Sequence, residues 1–254
     1  MRRGTPTLTS LSRSLAMLEA VIADGGARSV AAIARDLGVP AATAHRQIHS
    51  LVEQGYLARH GRGGHVAGPR LLGLLGRLDE KQVIANAAAP VLHALAAELG
   101  CVIQLGTLEG EMVTYRIKTG QGAGNLFTRV GMQLEAYCSG IGKMLLAHLP
   151  EDQQRAYLAG GPFPALTART ITQPDALAQE LARIRAQGFA LDDHEVADDL
   201  FCVAVPVRQD GERVLAAISI TQAGTPVHSV EMLVPRLSAA AAAIAQTAFG
   251  RASA

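Results

Sequence analysis

Cysteine is scarce in this chain and badly placed for structural use. Its 254 residues include three, Cys101, Cys138 and Cys202; the number is odd, the spacing wide and the surroundings apolar. That excludes a disulfide framework, and a reducing compartment, the cytoplasm, is expected. No CxxC pair is present to hold structural zinc. Long apolar runs are missing too, and nothing approaches the roughly 18 uninterrupted apolar residues of a membrane span. The Arg2-Arg3 start followed by Leu15 to Ala23 has the outline of an export signal, but Arg13 and Glu19 interrupt it. Leu11, Leu15, Leu18 and Ile22 fall at helical spacing, so this segment reads as a first helix. Lysine occurs at three positions only, 81, 118 and 143. No low-complexity linker breaks the pattern, which confines disorder to the ends. Also absent are the Gly-x-x-x-x-Gly-Lys-Ser/Thr loop of nucleotide-binding proteins and the Gly-x-Ser-x-Gly elbow of serine hydrolases. No cofactor or metal is implied.

Apolar residues, in contrast, make up 49% of the chain, with 18% charged, enough for a sizeable core. The length suits a domain of about 70 residues followed by one of about 170. Residues 29–68 carry the most specific pattern. Ile33, Ala34 and Leu37 share one helical face, and Ala41, Ala44, Ile48, Leu51 and Val52 share another. Ser29 is placed to cap the first helix, Gly38 to end it in the left-handed conformation, and Pro40 to open the second. Tyr56-Leu57-Ala58 and His65-Val66-Ala67 then flank a glycine- and arginine-rich tip like the two strands of a hairpin. Two short helices around a tight turn, followed by such a hairpin, form the outline of a winged helix-turn-helix. DNA is therefore the first candidate partner. On the outward face of the second helix Thr43, His45, Arg46 and His49 offer donors where base edges and phosphates would lie, with Arg46 the strongest of them.

Charge is distributed in the same sense. Residues 1–68 hold eight arginines against Glu19, Asp24, Asp36 and Glu53, a net +4, while the whole chain is +1, which leaves −3 for the remainder. A basic head on a weakly acidic body suits phosphate neutralisation by one end.

These motifs, together with Leu11-Ser-Arg-Ser-Leu-Ala-Met-Leu-Glu and Gly68-Pro-Arg-Leu-Leu, resemble the IclR family of bacterial transcriptional regulators over nearly the full length. The resemblance implies a dimer or dimer of dimers that binds operator DNA with its N-terminal domain and a small effector with its C-terminal domain. It makes Thr43 and Arg46 DNA-contacting and Arg62, at the hairpin tip, a backbone contact. Ala41-Ala42 and Gln47 depart from the family pattern, where polar or basic residues and an apolar residue respectively are usual. The expected organisation is α+β: a winged helix-turn-helix over 1–68, a linker helix over 69–81, and a GAF-like effector-binding and oligomerisation domain with an antiparallel sheet over 82–254. The linker, with Leu71, Leu74, Leu75 and Leu78 at helical spacing, contains Gly73 and Gly76; it reads either as a hinge or as an ordinary packed helix.

Beyond the linker, helical spacing covers Gln82 to Leu99, with a kink or a new segment expected at Pro90. Strands are expected at 101–107, 111–118, 126–130, 189–192, 201–207 and 214–221, and helices from near Ser139, from near Glu151, over 174–187 and over 230–249. Strand runs separated by helix groups favour an antiparallel α+β sheet. Small residues around Gly140 and Gly142 precede a helix whose N-terminal amides could meet an anion, or they serve only close packing. Ser219 and Thr221 share one face of a strand. The family pattern assigns Leu126, Leu134, Gly140, Ile141, Asp192, Cys202, Ser219 and Thr221 to the effector pocket, and the effector is read as a small organic or aromatic carboxylic acid. Tyr137 either stacks on its ring or fills the core. Asp193, His194, Asp198 and Asp199 read as a solvated loop. Repression is the expected mode, although its sign depends on operator position. The rival reading is an enzyme or metal sensor using Cys138, Asp192 and Cys202.

Overall fold

The computed structural model describes residues 8–61, 63–209 and 213–250. The chain divides after Leu78 into two compact units.

The first unit packs three helices against a hairpin. Helix α1 (Thr9–Asp24) ends at the left-handed Gly25, α2 (Val30–Asp36) is capped by Ser29, whose hydroxyl accepts from the Ala32 amide, and α3 (Ala41–Glu53) follows Pro40. Gly38 sits at φ 64° between α2 and α3, as its place in the turn demands. Met17, Val21, Val30, Ile33, Val39, Ala44, Ile48 and Leu57 close into one small core. Leu37, expected on the inner face of α2, lies beyond the helix end and is 37% exposed. The hairpin pairs β1 (Leu57–His60) with β2 (Gly64–Ala67), Arg59 opposite His65. The linker is helical over part of its span only. Helix α4 covers Pro69–Leu75, and α5 (Glu80–Leu99) starts afresh on an Asp79 cap. Pro90 sits inside α5 without interrupting it, against the expectation of a new segment there.

The second unit is a six-stranded, wholly antiparallel sheet in the order β5-β4-β3-β8-β7-β6. Its strands are β3 (Val102–Glu109), β4 (Met112–Thr119), β5 (Gln133–Glu135), β6 (Ala190–Asp193), β7 (Leu200–Gln209) and β8 (Arg213–Ala223). Period-two alternation sends Ile103, Leu105, Val203, Val205, Ile218 and Ile220 to one face, where α5 and α9 (Val230–Phe249) cover them. Both helices are long and apolar enough to cross a membrane by length and composition, yet each lays one side on this sheet, which makes them core helices. The opposite face carries α6 (Gly140–Ala147), α7 (Glu151–Leu158) and α8 (Pro174–Gln187). Residues 126–130 are not a strand as expected. They form a strap whose Leu126 and Thr128 carbonyls accept from Lys118 Nζ, so a side chain takes the role a neighbouring strand would have.

Candidate DNA-binding face and effector pocket

On α3, His45, Arg46 and His49 are exposed and Thr43 is half-buried at the start of the helix, while Ala44 and Ile48 face the core. Arg62 lies outside the described residues. Gln47 is half-buried, and its Oε1 is shielded with no partner among the described residues.

The second unit contains a small cavity of about 20 Å³ between the sheet and α6, well below the roughly 300–1,000 Å³ typical of ligand sites, so a ligand has to push its walls apart to enter. Its floor follows from register. Asp192 pairs with Cys202 and Cys202 with Thr221, and in the next row Ala204 pairs with Ser219 and Ser219 with Gln104. These side chains all point towards α6. Gly140 and Ile141 at the start of α6 form one wall, and the strap residues Leu126, Phe127 and Thr128 close the other. Ser139 caps α6, accepting from the Gly142 amide at 3.0 Å. The helix thus points the positive end of its dipole at the cavity.

Seven of the eight residues assigned to the pocket from the family pattern line this cavity. Leu134 does not: it sits on the edge strand β5 opposite Val113 and packs with the α6–α8 core. Pattern matching brought it in, and a three-residue edge strand places it elsewhere. Gln104, Tyr115, Thr128 and Ser139 line the cavity without having been expected to. Gln104 is the one with a readable signal, a lone amide in an otherwise apolar strand. It donates to Thr128 Oγ1 at 2.8 Å and accepts from Thr221 Oγ1 at 3.1 Å, tying strap to floor. Tyr137 belongs to the core: it stacks on Phe163 at 4.8 Å and donates its hydroxyl to the Pro164 carbonyl at 2.7 Å.

Electrostatics argue against nucleophilic chemistry here. Burial pushes the Cys138 thiol up to about 12 and raises that of Cys202 further, with Asp192 adding to both; the reactive thiolate is therefore suppressed. Cys138, Asp192 and Cys202 do not converge as a metal-ligating set among the described residues. Burial also raises the Asp192 carboxyl, whose Oδ1 accepts from the Glu195 amide at 2.8 Å and the Val196 amide at 3.3 Å. Beneath this turn lies Lys143, 1% exposed, ion-paired to Glu195 and 3.8 Å from Glu180. Asp193, by contrast, is at the surface with Arg169, and Asp198 and Asp199 are exposed.

The comparisons with known proteins agree with this geometry. The IclR helix-turn-helix domain matches residues 10–61, and the C-terminal domain of IclR bacterial transcriptional regulators matches residues 77–246. The Pca regulon regulatory protein of Pseudomonas putida is 30% identical, over 96% of this chain and 85% of that protein. An IclR homolog from Microbacterium hydrocarbonoxydans, solved in complex with 4-hydroxybenzoate, is 29% identical with a TM-score of 0.63, over 96% of this chain and 100% of the other. The Agobacterium tumefaciens repressor BlcR is 27% identical with a TM-score of 0.69, over 96% and 98%. Relatives of this kind regulate transcription and are not enzymes. With a helix-turn-helix ahead of a cavity-bearing antiparallel sheet, and both matched along their length, this chain belongs to the IclR family of DNA-binding bacterial transcriptional regulators.

Proposed function

We propose that the chain is a cytoplasmic repressor released or stabilised on its operator by a compact aromatic hydroxy acid. Thr43, His45, Arg46 and His49, with Arg62, contact the DNA in this reading. The effector enters the cavity walled by Leu126, Gly140, Ile141, Asp192, Cys202, Ser219 and Thr221. The observation that carries it is a helix N-terminus and a buried acid lining one small cavity, with Gly140 close against Asp192. The amides of α6 favour the carboxylate of a ligand. Asp192 repels a second carboxylate and favours a donor such as a phenolic hydroxyl. The 4-hydroxybenzoate bound by the homolog and the repressor role of BlcR support this choice.

Selection of bound sequences from a random duplex library, followed by titration with 4-hydroxybenzoate and related acids, tests the reading. Arg46→Ala should weaken the selected complex by on the order of 1–3 kcal/mol. Ligand at 100 times its dissociation constant should add about 2.7 kcal/mol to thermal stability. Unchanged DNA affinity in the variant, or no response to any acid in the panel, counts against the respective half of the proposal.

The assembly we propose is a homodimer or dimer of dimers. Leu11 (55% exposed), Leu15 (50%) and Ile22 (38%) run along one side of α1, and Leu72, Leu75 and Leu78 stand out from the α4 segment. Apolar surface of this extent on a small unit marks a protein contact. A Leu11→Glu/Leu15→Glu chain should sediment as a smaller species than wild type; identical sedimentation would remove α1 from the interface.

A further inference from the structure

Between α3 and the wing runs an open groove of about 400 Å³ lined by His45, His49, Arg59 and His65, with Ile48 and Val52 at its base and Gly61, Gly63 and Gly64 along its rim. Among the described residues, three of its four ionisable lining groups are histidines. They arrive from two elements: His45 and His49 are one turn apart on α3, and His65 stands directly opposite Arg59 across the β1–β2 pair. The described rim residues are all glycine, and at one point this is required. A Cβ on Gly64 would lie 2.9 Å from the Gly26 and His60 carbonyl oxygens. Such a groove admits a diester phosphate close to four side chains able to donate to it.

We propose that this groove seats a DNA backbone phosphate, held by Arg59 together with His45 and His65, and that the two histidines take up protons as the phosphate enters. The inference rests on the DNA-binding reading and goes beyond it by adding Arg59 and His65 to the contact and by making the grip depend on pH. The surroundings fit. Burial holds the His65 imidazole below its ordinary value, and the charges of Arg59 and His45 push the same way. Its Nδ1 is shielded with no partner among the described residues. These groups disfavour the charged form of His65 in the free protein, and a phosphate beside it pulls the other way. Of the acids near the groove, Glu53 lies 3.9 Å from His49 Nε2. On α1, which packs against β2, Asp24 is held by Arg28, which leaves Glu19 as that helix's other acid. His60 lies on the other side of the wing, against Gly26.

The sign is direct. A proton taken up on binding makes affinity fall as pH rises. The test is fluorescence anisotropy of the full chain with a random-sequence duplex of about 30 base pairs, at fixed ionic strength from pH 6 to pH 8. Wild type should bind about tenfold tighter at pH 6 than at pH 8, and the His45→Gln/His65→Gln chain should bind more weakly and lose most of that dependence. His45→Gln alone, at an exposed position that cannot disturb the core, should lose about half of the dependence on a logarithmic scale. Arg59→Ala should weaken binding at every pH and reduce the logarithmic salt slope by about 0.9. A pH dependence unchanged in both histidine variants overturns the proposal while leaving DNA binding intact. Failure of wild type to bind the duplex at any pH in low salt overturns the DNA-binding reading itself.

Discussion

Replacing Lys143 with methionine should lower the melting temperature of the effector domain by about 10 °C at pH 8, the largest loss expected of any single surface-silent change. Lys143 is 1% exposed on α6 and neutralises Glu195, which is itself 5% exposed on the turn that follows Asp192. Methionine fills the same volume and leaves a buried carboxylate unpaired, a change that costs about 3–5 kcal/mol. In a domain of this size each kcal/mol moves the melting point by about 2–4 °C. Burial already pushes the Glu195 carboxyl up to about 7 against the pull of Lys143. A carboxyl raised in the folded state contributes stability that is fully present below its unfolded value and is lost as pH rises through the folded one. Wild type should therefore melt lower at pH 8 than at pH 5, and Glu195→Gln should flatten that slope. Removing Lys143 raises the carboxyl further, so the methionine variant should suffer little at pH 5 and most at pH 8. The double change Lys143→Met/Glu195→Leu should recover much of the loss, since the buried charge is gone. Differential scanning calorimetry of the four chains decides the matter: a double variant no more stable than Lys143→Met would refute the unpaired-charge account.

That buried pair also marks the limit of what can be read from residues in order. Helices α8 and α9 are visible in the sequence to the residue, because Pro174 opens α8, Gly188 stops it, and α9 is a long apolar repeat. The α2–α3 turn is equally legible, since capping and a left-handed glycine are local properties. Lys143 and Glu195 are 52 residues apart, and nothing local to either says they will meet. Glu195 is hidden further among Asp192, Asp193, Asp198 and Asp199, neighbours that look alike in sequence although Asp192 is buried and the other three are exposed. The strap at 126–130 departs from the expected strand for a related reason: it is apolar enough for a strand, but its Leu126 and Thr128 carbonyls are met by the Lys118 ammonium. Most pocket positions were legible only through the family pattern. That pattern carries positions without carrying the path of the chain, which is how Leu134 was included although β5 leaves it outside the cavity.

The two glycines of Gly140-Ile141-Gly142 separate fold from function, and substituting each with alanine should show it. In sequence they are equivalent, small residues ahead of a helix that serve either ligand approach or packing. In the structure a Cβ on Gly142 would overlap the carbonyl oxygen of Ala136 and lie 2.5 Å from its Cα and 2.6 Å from its carbonyl carbon. All of these are backbone atoms and none can turn aside, so α6 must move off the Ala136–Cys138 segment. Gly142→Ala should cost about 3 kcal/mol or more, at the upper end of overpacking changes, and lower the melting temperature by at least about 6 °C. Gly140 is different. A Cβ there meets Ala204 Cβ at 3.4 Å and the Asp192 amide nitrogen at 3.6 Å, which are ordinary or nearly ordinary contacts, so Gly140→Ala should leave the melting temperature within a few degrees of wild type. Its methyl group, however, enters the wall of a cavity of only about 20 Å³, beside the amides proposed to hold the effector carboxylate. The thermal response to an acid that stabilises wild type should then weaken by about tenfold in apparent affinity, or roughly 1.4 kcal/mol. A Gly140→Ala chain that responds to the acid as wild type does would move the ligand away from the start of α6. A Gly142→Ala chain of wild-type stability would mean that α6 does not pack on Ala136 as described.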